Sequence, residues 1–259
     1  MEELKKMMHV GLRRGDIGEY VFLPGSPERS EKISKYFDQS VEVAYNREYH
    51  TFTGTLDGTP VSVCSTGIGG PSTAIAVEEL RECGAHTMIR VGTCASVSPL
   101  VHIGDVVVPN GAVRMEGVGQ HYLPLEYPAV PDMYLLEELE KAALKLGYPC
   151  NVGVTITKAS FFTQTDAASK PFGYELVNRW NSYEAGGATS TEMESAPLFL
   201  IAGCLGIRAA TVLVSATNYK SYSDDKKDYP AQWEHRAIET AIEAMRQIIR
   251  QDKEETLRK

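Results

Sequence analysis

The sequence predicts an α/β protein, and three features carry that prediction. Short apolar runs alternate with segments of helical periodicity along most of the chain. Several of those runs end in glycine or small polar residues, and the helical segments are stopped by glycines. Strands are expected at Tyr20–Pro24, 61–65, 87–91, 105–108, 152–157 and 209–214. The segments LPGSP, STGIGG and VGTCAS mark strand ends, where α/β folds build their binding crevices. A helix over 71–83 has proline at its start and Gly84 beyond its end, as helix termini prefer. Further helices are expected at 133–146, stopped by Gly147, and at 194–205, stopped by Gly206. The last, 234–250, lines up Ile238, Ala241, Ile242, Met245, Ile248 and Ile249 on one stripe, which packs against a sheet. The stretch 216–232 is polar and aperiodic; a surface loop and a mobile lid are both open readings. With no internal repeat or linker, residues 1–259 are expected to form one domain.

Bulk properties narrow the function. Hydrophobic residues at 43% and charged residues at 23% are those of a soluble globular protein. The net charge of −8, from 26 basic and 34 acidic residues, argues against nonspecific binding to nucleic acid or anionic membrane. A small anion is not excluded, because a few arginines make one positive pocket on an acidic protein. No apolar run approaches membrane-spanning length. The start, MEELKKMMHVGLRRGDIGEY, lacks the apolar core and cleavage site of a signal peptide. The five cysteines (Cys64, Cys83, Cys94, Cys150, Cys204) have no metal-ligand spacing and are expected as reduced thiols of a cytoplasmic protein.

Four segments carry chemistry. In VFLPGSPERSEKIS, Gly25 follows a strand and Arg29 stands four residues on, so backbone N–H groups and a guanidinium can meet one anion. In MIRVGTCAS, Arg90 interrupts an apolar strand, where an unpaired charge is costly. It is either half of a buried salt bridge or an anion ligand, with Thr93 on the next loop adding a hydroxyl. Arg47, in AYNREYHTF, is a third candidate. STGIGGPSTAIAVEEL reads strand, glycine-rich turn, helix, but lacks both nucleotide-loop patterns. In TSTEMESAPLFLIAG, Glu192 and Glu194 flank Met193 ahead of an apolar helix. The helix dipole accounts for one of these carboxylates; the other can accept vicinal hydroxyls.

Taken in order, PGSPERSEKI, NREY, STGIGGPSTAIAVEEL, IRVGT, PLEYPAV at 124–130 and EMESA resemble the nucleoside phosphorylase-I family, within it the bacterial uridine phosphorylases. The resemblance spans HVGL to the last helix. It implies a mixed, twisted sheet closed into a distorted barrel and surrounded by helices, and a homo-hexamer built as a trimer of dimers. It implies a phosphate site on Gly25, Arg29, Arg90 and Thr93, with Arg47 from a neighbouring subunit. The ribose site falls on Met193 and Glu194 with Glu192 beside them, and His9 reaches the 5′-hydroxyl across the dimer. Arg90, Glu194 and Arg29 are the implied catalytic residues. No cofactor is required, inorganic phosphate being the co-substrate. A potassium ion at the dimer interface would take Glu48, the Ile68 carbonyl and Ser72.

The base pocket departs from the pattern. Phe161 and Gln164 match the stacking aromatic and the glutamine, and Asn218 is retained. The two uracil-reading arginines are replaced by Ser169, with Lys170 adjacent, and by Tyr219. Purine readers carry an aspartate after a Val-Ser pair; here Val214 and Ser215 are followed by Ala216, while Asp224 and Asp225 lie further on. Retention of Arg29, Arg47 and Arg90 favours phosphorolysis over hydrolysis. The leading expectation is phosphorolysis of uridine or a related pyrimidine nucleoside to base and (deoxy)ribose 1-phosphate, in pyrimidine salvage. The alternatives are a phosphorylase for a purine or modified nucleoside, read by Gln164 and Lys170, and a nucleoside-binding protein of little activity.

Overall fold

The computed structural model describes residues 5–219 and 229–257, with side chains of the last segment from Gln232 onward. The stretch 216–232 therefore lies largely outside the described residues, and Asp224 and Asp225 do so entirely.

The nine strands described are β1 (Tyr20–Pro24), β2 (Asp38–Asn46), β3 (Tyr49–Leu56), β4 (Thr59–Cys64), β5 (Thr87–Ser96), β6 (Val106–Met115), β7 (Cys150–Lys158), β8 (Ser190–Glu192) and β9 (Arg208–Asn218). They join one sheet in the order β2-β3-β4-β1-β5-β8-β7-β6-β9, and β9 returns to pair with β5. Strands β5, β8, β7, β6 and β9 thus close a ring of mixed polarity, the distorted barrel that the resemblance implied. Full closure leaves these strands without an open edge.

β5 makes the closure possible. Thr87–Val91 pair with β1, Ala95 and Ser96 with β8, and the whole strand runs parallel to β9. Its residues are buried almost throughout, which accounts for the continuous apolar run. One expectation is corrected here: Thr93 lies inside the strand, not on a following loop. The apolar run breaks at Gly92, packed against Arg90 and Leu213, and at Thr93, which lines the cleft, so the run ended without ending the strand.

β2, the one-turn helix α4 (Phe162–Thr165) and helix α5 (Gly173–Ala185) carried no usable signal. β2 is an edge strand with no buried residue, and α5 buries only Gly173 and Trp180. An element that buries so little has no apolar period to detect.

Helices cover both faces. Against one lie α3 (Met133–Lys145) and α7 (Tyr229–Leu257), joined through a core that includes Phe22, Ile89, Val212, Leu135 and Ile248. Against the other lie α2 (Gly70–Cys83) and α6 (Ser195–Leu205), packed around Val21, Leu23, Met88 and Phe199. The stripe expected on the last helix is buried in full, though α7 runs beyond the expected residue 250. Its far end is tied down: Arg208 donates to both carboxylate oxygens of Asp252 at 3.0 and 2.5 Å, and the Tyr20 hydroxyl donates to Asp252 at 2.9 Å. No helix among the described residues is long and apolar enough to cross a membrane.

Because Ile248 is fully buried between α7 and the sheet, Ile248→Ala is expected to destabilise the fold by about 2–5 kcal/mol. Urea unfolding monitored by circular dichroism measures this; an unchanged midpoint would mean that α7 does not hold the sheet.

Candidate active site

A cleft of about 910 Å³ opens where β1, β5, β7 and β9 end. Around it the structure gathers Gly25, Arg29, Glu48, Ile68, Arg90, Thr93, Phe161, Gln164, Glu192, Met193 and Glu194. Sequence reading had drawn these from widely separated segments.

The turn after β1 starts the site. Ser26 caps helix α1 (Pro27–Ser34) by accepting from the Arg29 N–H at 3.3 Å, and this leaves Gly25 at the cleft wall. The Arg29 side chain is buried; its Nε donates to Glu234 of α7, and Nη1 donates to the Val91 carbonyl at 3.3 Å. Lys32 donates to the other oxygen of Glu234. Burial pushes the Glu234 carboxyl up, but Arg29 and Lys32 outweigh it and hold it below the usual carboxylate range. Glu234 fixes Arg29, a role that no local motif announced.

The salt-bridge reading of Arg90 is realised. Nε donates to Glu192 Oε2 at 3.1 Å, and Nη2 meets Glu194 Oε2 at 2.5 Å. Nη1 is buried and has no partner among the described residues. Burial disfavours the Arg90 charge, yet the two carboxylates prevail and hold it protonated. A buried guanidinium N–H left open is rare enough to require an acceptor, and the cleft is where one would sit.

The two glutamates divide as the helix argument demanded. Glu192 Oε2 accepts from the backbone N–H groups of Glu194 and Ser195 at 2.8 and 2.9 Å, which caps α6. Its Oε1 accepts from Thr157 Oγ1 at 2.5 Å. With Arg90 added, Glu192 has four donors and a side chain 1% exposed, so its oxygens are committed to the protein and not open to a ligand hydroxyl. Glu194 is held by Arg90 and by the Gly69 N–H at 2.5 Å. Gly69 can donate there because its backbone sits at φ 91, in the left-handed region that favours glycine. Burial raises the Glu194 carboxyl, opposed chiefly by Arg90.

Other candidates lie elsewhere. His9 is half-buried, its Nδ1 2.7 Å from Glu79 Oε1, and it does not line the cleft. Arg47 is exposed in the β2–β3 turn at φ 56, also outside the cleft wall. Asn218 donates to Ser96 Oγ at 3.3 Å and is likewise outside it. Glu48 and Ile68 border the cleft, and the Ser72 hydroxyl lies 3.3 Å from the Ile68 carbonyl oxygen. No group of three or more His, Cys, Asp or Glu side chains among the described residues is placed to hold a metal.

Phe161 and Gln164 also line the cleft, and Gln164 Oε1 is buried without a partner among the described residues. Ser169 is exposed and bonded to Asp166, and Lys170 donates to Asp166 at 3.0 Å; neither lines the cleft. Lys170 is thus paired with Asp166, four residues back, and stands outside the cleft wall. Tyr219 does reach the wall, with its hydroxyl on Glu184. Ala216 puts a methyl group in the wall after Val214 and Ser215. The cationic group in this wall is Lys158, the last residue of β7 and one position beyond the strand expected over 152–157. All five cysteines are free; Cys94 borders the cleft, but burial pushes its thiol up to about 12, which removes thiolate chemistry.

Comparison with known proteins agrees with this geometry. Residues 19–250 match the model of the phosphorylase superfamily. The chain is 44% identical over 244 residues to a uridine phosphorylase of Treponema pallidum, covering 94% of this chain and 95% of that one. It is 36% identical over 248 residues to the uridine phosphorylase of Escherichia coli, covering 94% and 98%. A guanosine phosphorylase of Halorubrum lacusprofundi is 37% identical over 229 residues, covering 86% and 90%.

Removing the Glu192 carboxylate strands Arg90 and two backbone N–H groups in the interior. Glu192→Ala is therefore expected to cost about 3–5 kcal/mol of stability. Thermal unfolding tests this, and a wild-type melting temperature would refute the structural role.

Proposed function

Because the chain belongs to the phosphorylase superfamily, with residues 19–250 inside the family model, we propose that it is a pentosyltransferase cleaving uridine with inorganic phosphate. The products are uracil and ribose 1-phosphate. One observation carries the reading: the buried Arg90 guanidinium has an unpartnered Nη1 in the cleft while its other nitrogens are locked to Glu192 and Glu194. An anion accepts from that group, and the Gly25 turn, Arg29 and Thr93 share its wall.

The chemistry follows from where the charges stand. As the C1′–N bond lengthens, the ribose gains oxocarbenium character and the electron pair leaves with the base. Phosphate held by Arg29 and Arg90 offsets the positive charge and then bonds to C1′ through one oxygen. Glu194 accepts from the 2′- and 3′-hydroxyls. Its Oε1 and Oε2 are fixed by Gly69 and Arg90, so that alignment costs little reorganisation. Met193 packs beside the sugar and Phe161 against the base.

The active unit in this reading is a dimer within a hexamer. Arg47 and His9 are off the cleft in their own subunit, and each completes a partner's site: Arg47 on phosphate, His9 on the 5′-hydroxyl. Edge strand β2 and the segment beside it expose Met8, Val41, Val43 and Tyr45, an apolar surface suited to a second copy. Glu48, the Ile68 carbonyl and Ser72 offer carboxylate, carbonyl and hydroxyl oxygens, the donor set of a hard cation such as potassium at that interface. The similarity to a guanosine phosphorylase supports a second reading, a purine nucleoside substrate, against which stands the methyl of Ala216 in the wall.

Purified protein is expected to release base from uridine only when phosphate is present, with guanosine, inosine and adenosine poorer substrates. Preferred turnover of a purine nucleoside would reverse the base assignment, and nucleoside binding without turnover would end the enzymatic one. Arg90→Ala is expected to lower kcat/KM for phosphate about 100- to 1,000-fold; an unchanged value removes Arg90 from the phosphate site.

A further inference from the structure

Loss of a base anion needs charge or a donor at the base end of the cleft, and the guanidiniums expected there are absent. Ser169 is tied to Asp166 and Tyr219 carries no charge. Lys170 is held by Asp166. Arg29 and Arg90 are fixed by Glu234, Glu192 and Glu194 at the end of the cleft assigned to phosphate. Among the described residues, the remaining cation of the cleft wall is Lys158.

Its environment is unusual for a lysine. The residue is 6% exposed, and Nζ donates to Thr191 Oγ1 at 3.1 Å. It has no ion-pair partner within 4.0 Å among the described residues. An ammonium carries three donors, so at least one is left to point elsewhere. Nζ lies 5.6 Å from the centre of the Phe161 ring. Lys158 and Gln164 line both the main cleft and a small adjoining cavity. An under-used buried donor and a buried unpartnered acceptor, Gln164 Oε1, thus share the wall beside an aromatic face. Together they complement an imide or lactam edge, which presents a carbonyl oxygen next to an N–H.

We propose that Lys158 is a catalytic residue of the phosphorolysis described above, donating a hydrogen bond to a carbonyl oxygen of the leaving base and stabilising its negative charge. The inference rests on that reading of the site. As the C1′–N bond breaks, its electron pair passes to the base nitrogen and spreads onto the carbonyl oxygens, while a phosphate oxygen bonds to C1′. The ammonium keeps its proton in a charge-assisted hydrogen bond, and the released base anion takes a proton from water. Lys158 also selects for oxo bases, because an amino group in place of the carbonyl would turn a donor toward the ammonium.

Its charge is poised to matter. Burial pushes the Lys158 ammonium down to about 8, although Glu192 of β8, Glu194 at the head of α6 and Cys94 of β5 oppose that shift. The cation is present below that value and is lost as pH rises through it, so activity should fall on the alkaline side.

The test compares uridine with 5-fluorouridine, whose fluorine makes the base a better leaving group, in phosphate buffers across pH 6–10. Lys158→Met is expected to lower kcat on uridine about 100-fold, and to lower it much less on 5-fluorouridine, with KM for phosphate unchanged. The alkaline fall of kcat should disappear in this variant and move upward in Lys158→Arg. Thermal unfolding should show Lys158→Met at least as stable as wild type, because a buried charge has been removed. Equal losses on both nucleosides, or an alkaline limb unmoved by either variant, would overturn the role of Lys158 while leaving the phosphorylase reading intact. If wild-type protein turns over no oxo-base nucleoside with phosphate, both fall.

Discussion

The Arg90 guanidinium between Glu192 and Glu194 is the interaction on which the rest of the site depends. Two carboxylates and one guanidinium, all nearly excluded from water, would be costly without dense pairing. Thr157, the backbone N–H groups at the start of α6 and the Gly69 N–H supply it. One carboxylate is spent on holding the arginine and the helix, and the other is presented to the cleft. Arg90 Nη1 has no partner among the described residues.

Barrel closure brings this cluster together. Arg90 is on β5, Glu192 ends β8 with Glu194 just beyond it, and Thr157 is on β7. β5 runs beside β8 only over Ala95 and Ser96, and β8 runs beside β7 only over Ser190–Glu192. These short pairings bring the Glu192 carboxylate within reach of both neighbours. α7, packed across the opposite face, returns Glu234 to Arg29. The end of the cleft around Arg29 and Arg90 is thereby built from rigid elements, which suits positioning of reactants.

The other end of the cleft is built differently. Phe161 and Gln164 stand on a segment that buries little, Tyr219 follows β9, and Lys158 closes the wall from the end of β7. In the role proposed for it, Lys158 would be a point donor rather than the planar fork of an arginine, and would read one oxygen rather than an edge.

Much of this was legible in the residues. The α/β alternation, the glycine-stopped helices and the apolar stripe of the last helix reflect local periods that burial imposes, and they were read correctly. The motifs around Arg29, Arg90 and Glu194 identified the family, because phosphate and ribose recognition need charged groups at fixed places next to backbone turns. What the sequence could not decide was partnership. That Glu192 caps while Glu194 faces the cleft, that Glu234 holds Arg29, and that Lys158 rather than Lys170 enters the wall all depend on side chains remote in sequence. β2 and α5 were silent for a related reason, since elements that bury few residues leave no period behind. Local chemistry writes itself into the sequence, whereas the pairing of distant charges exists only once the barrel has closed.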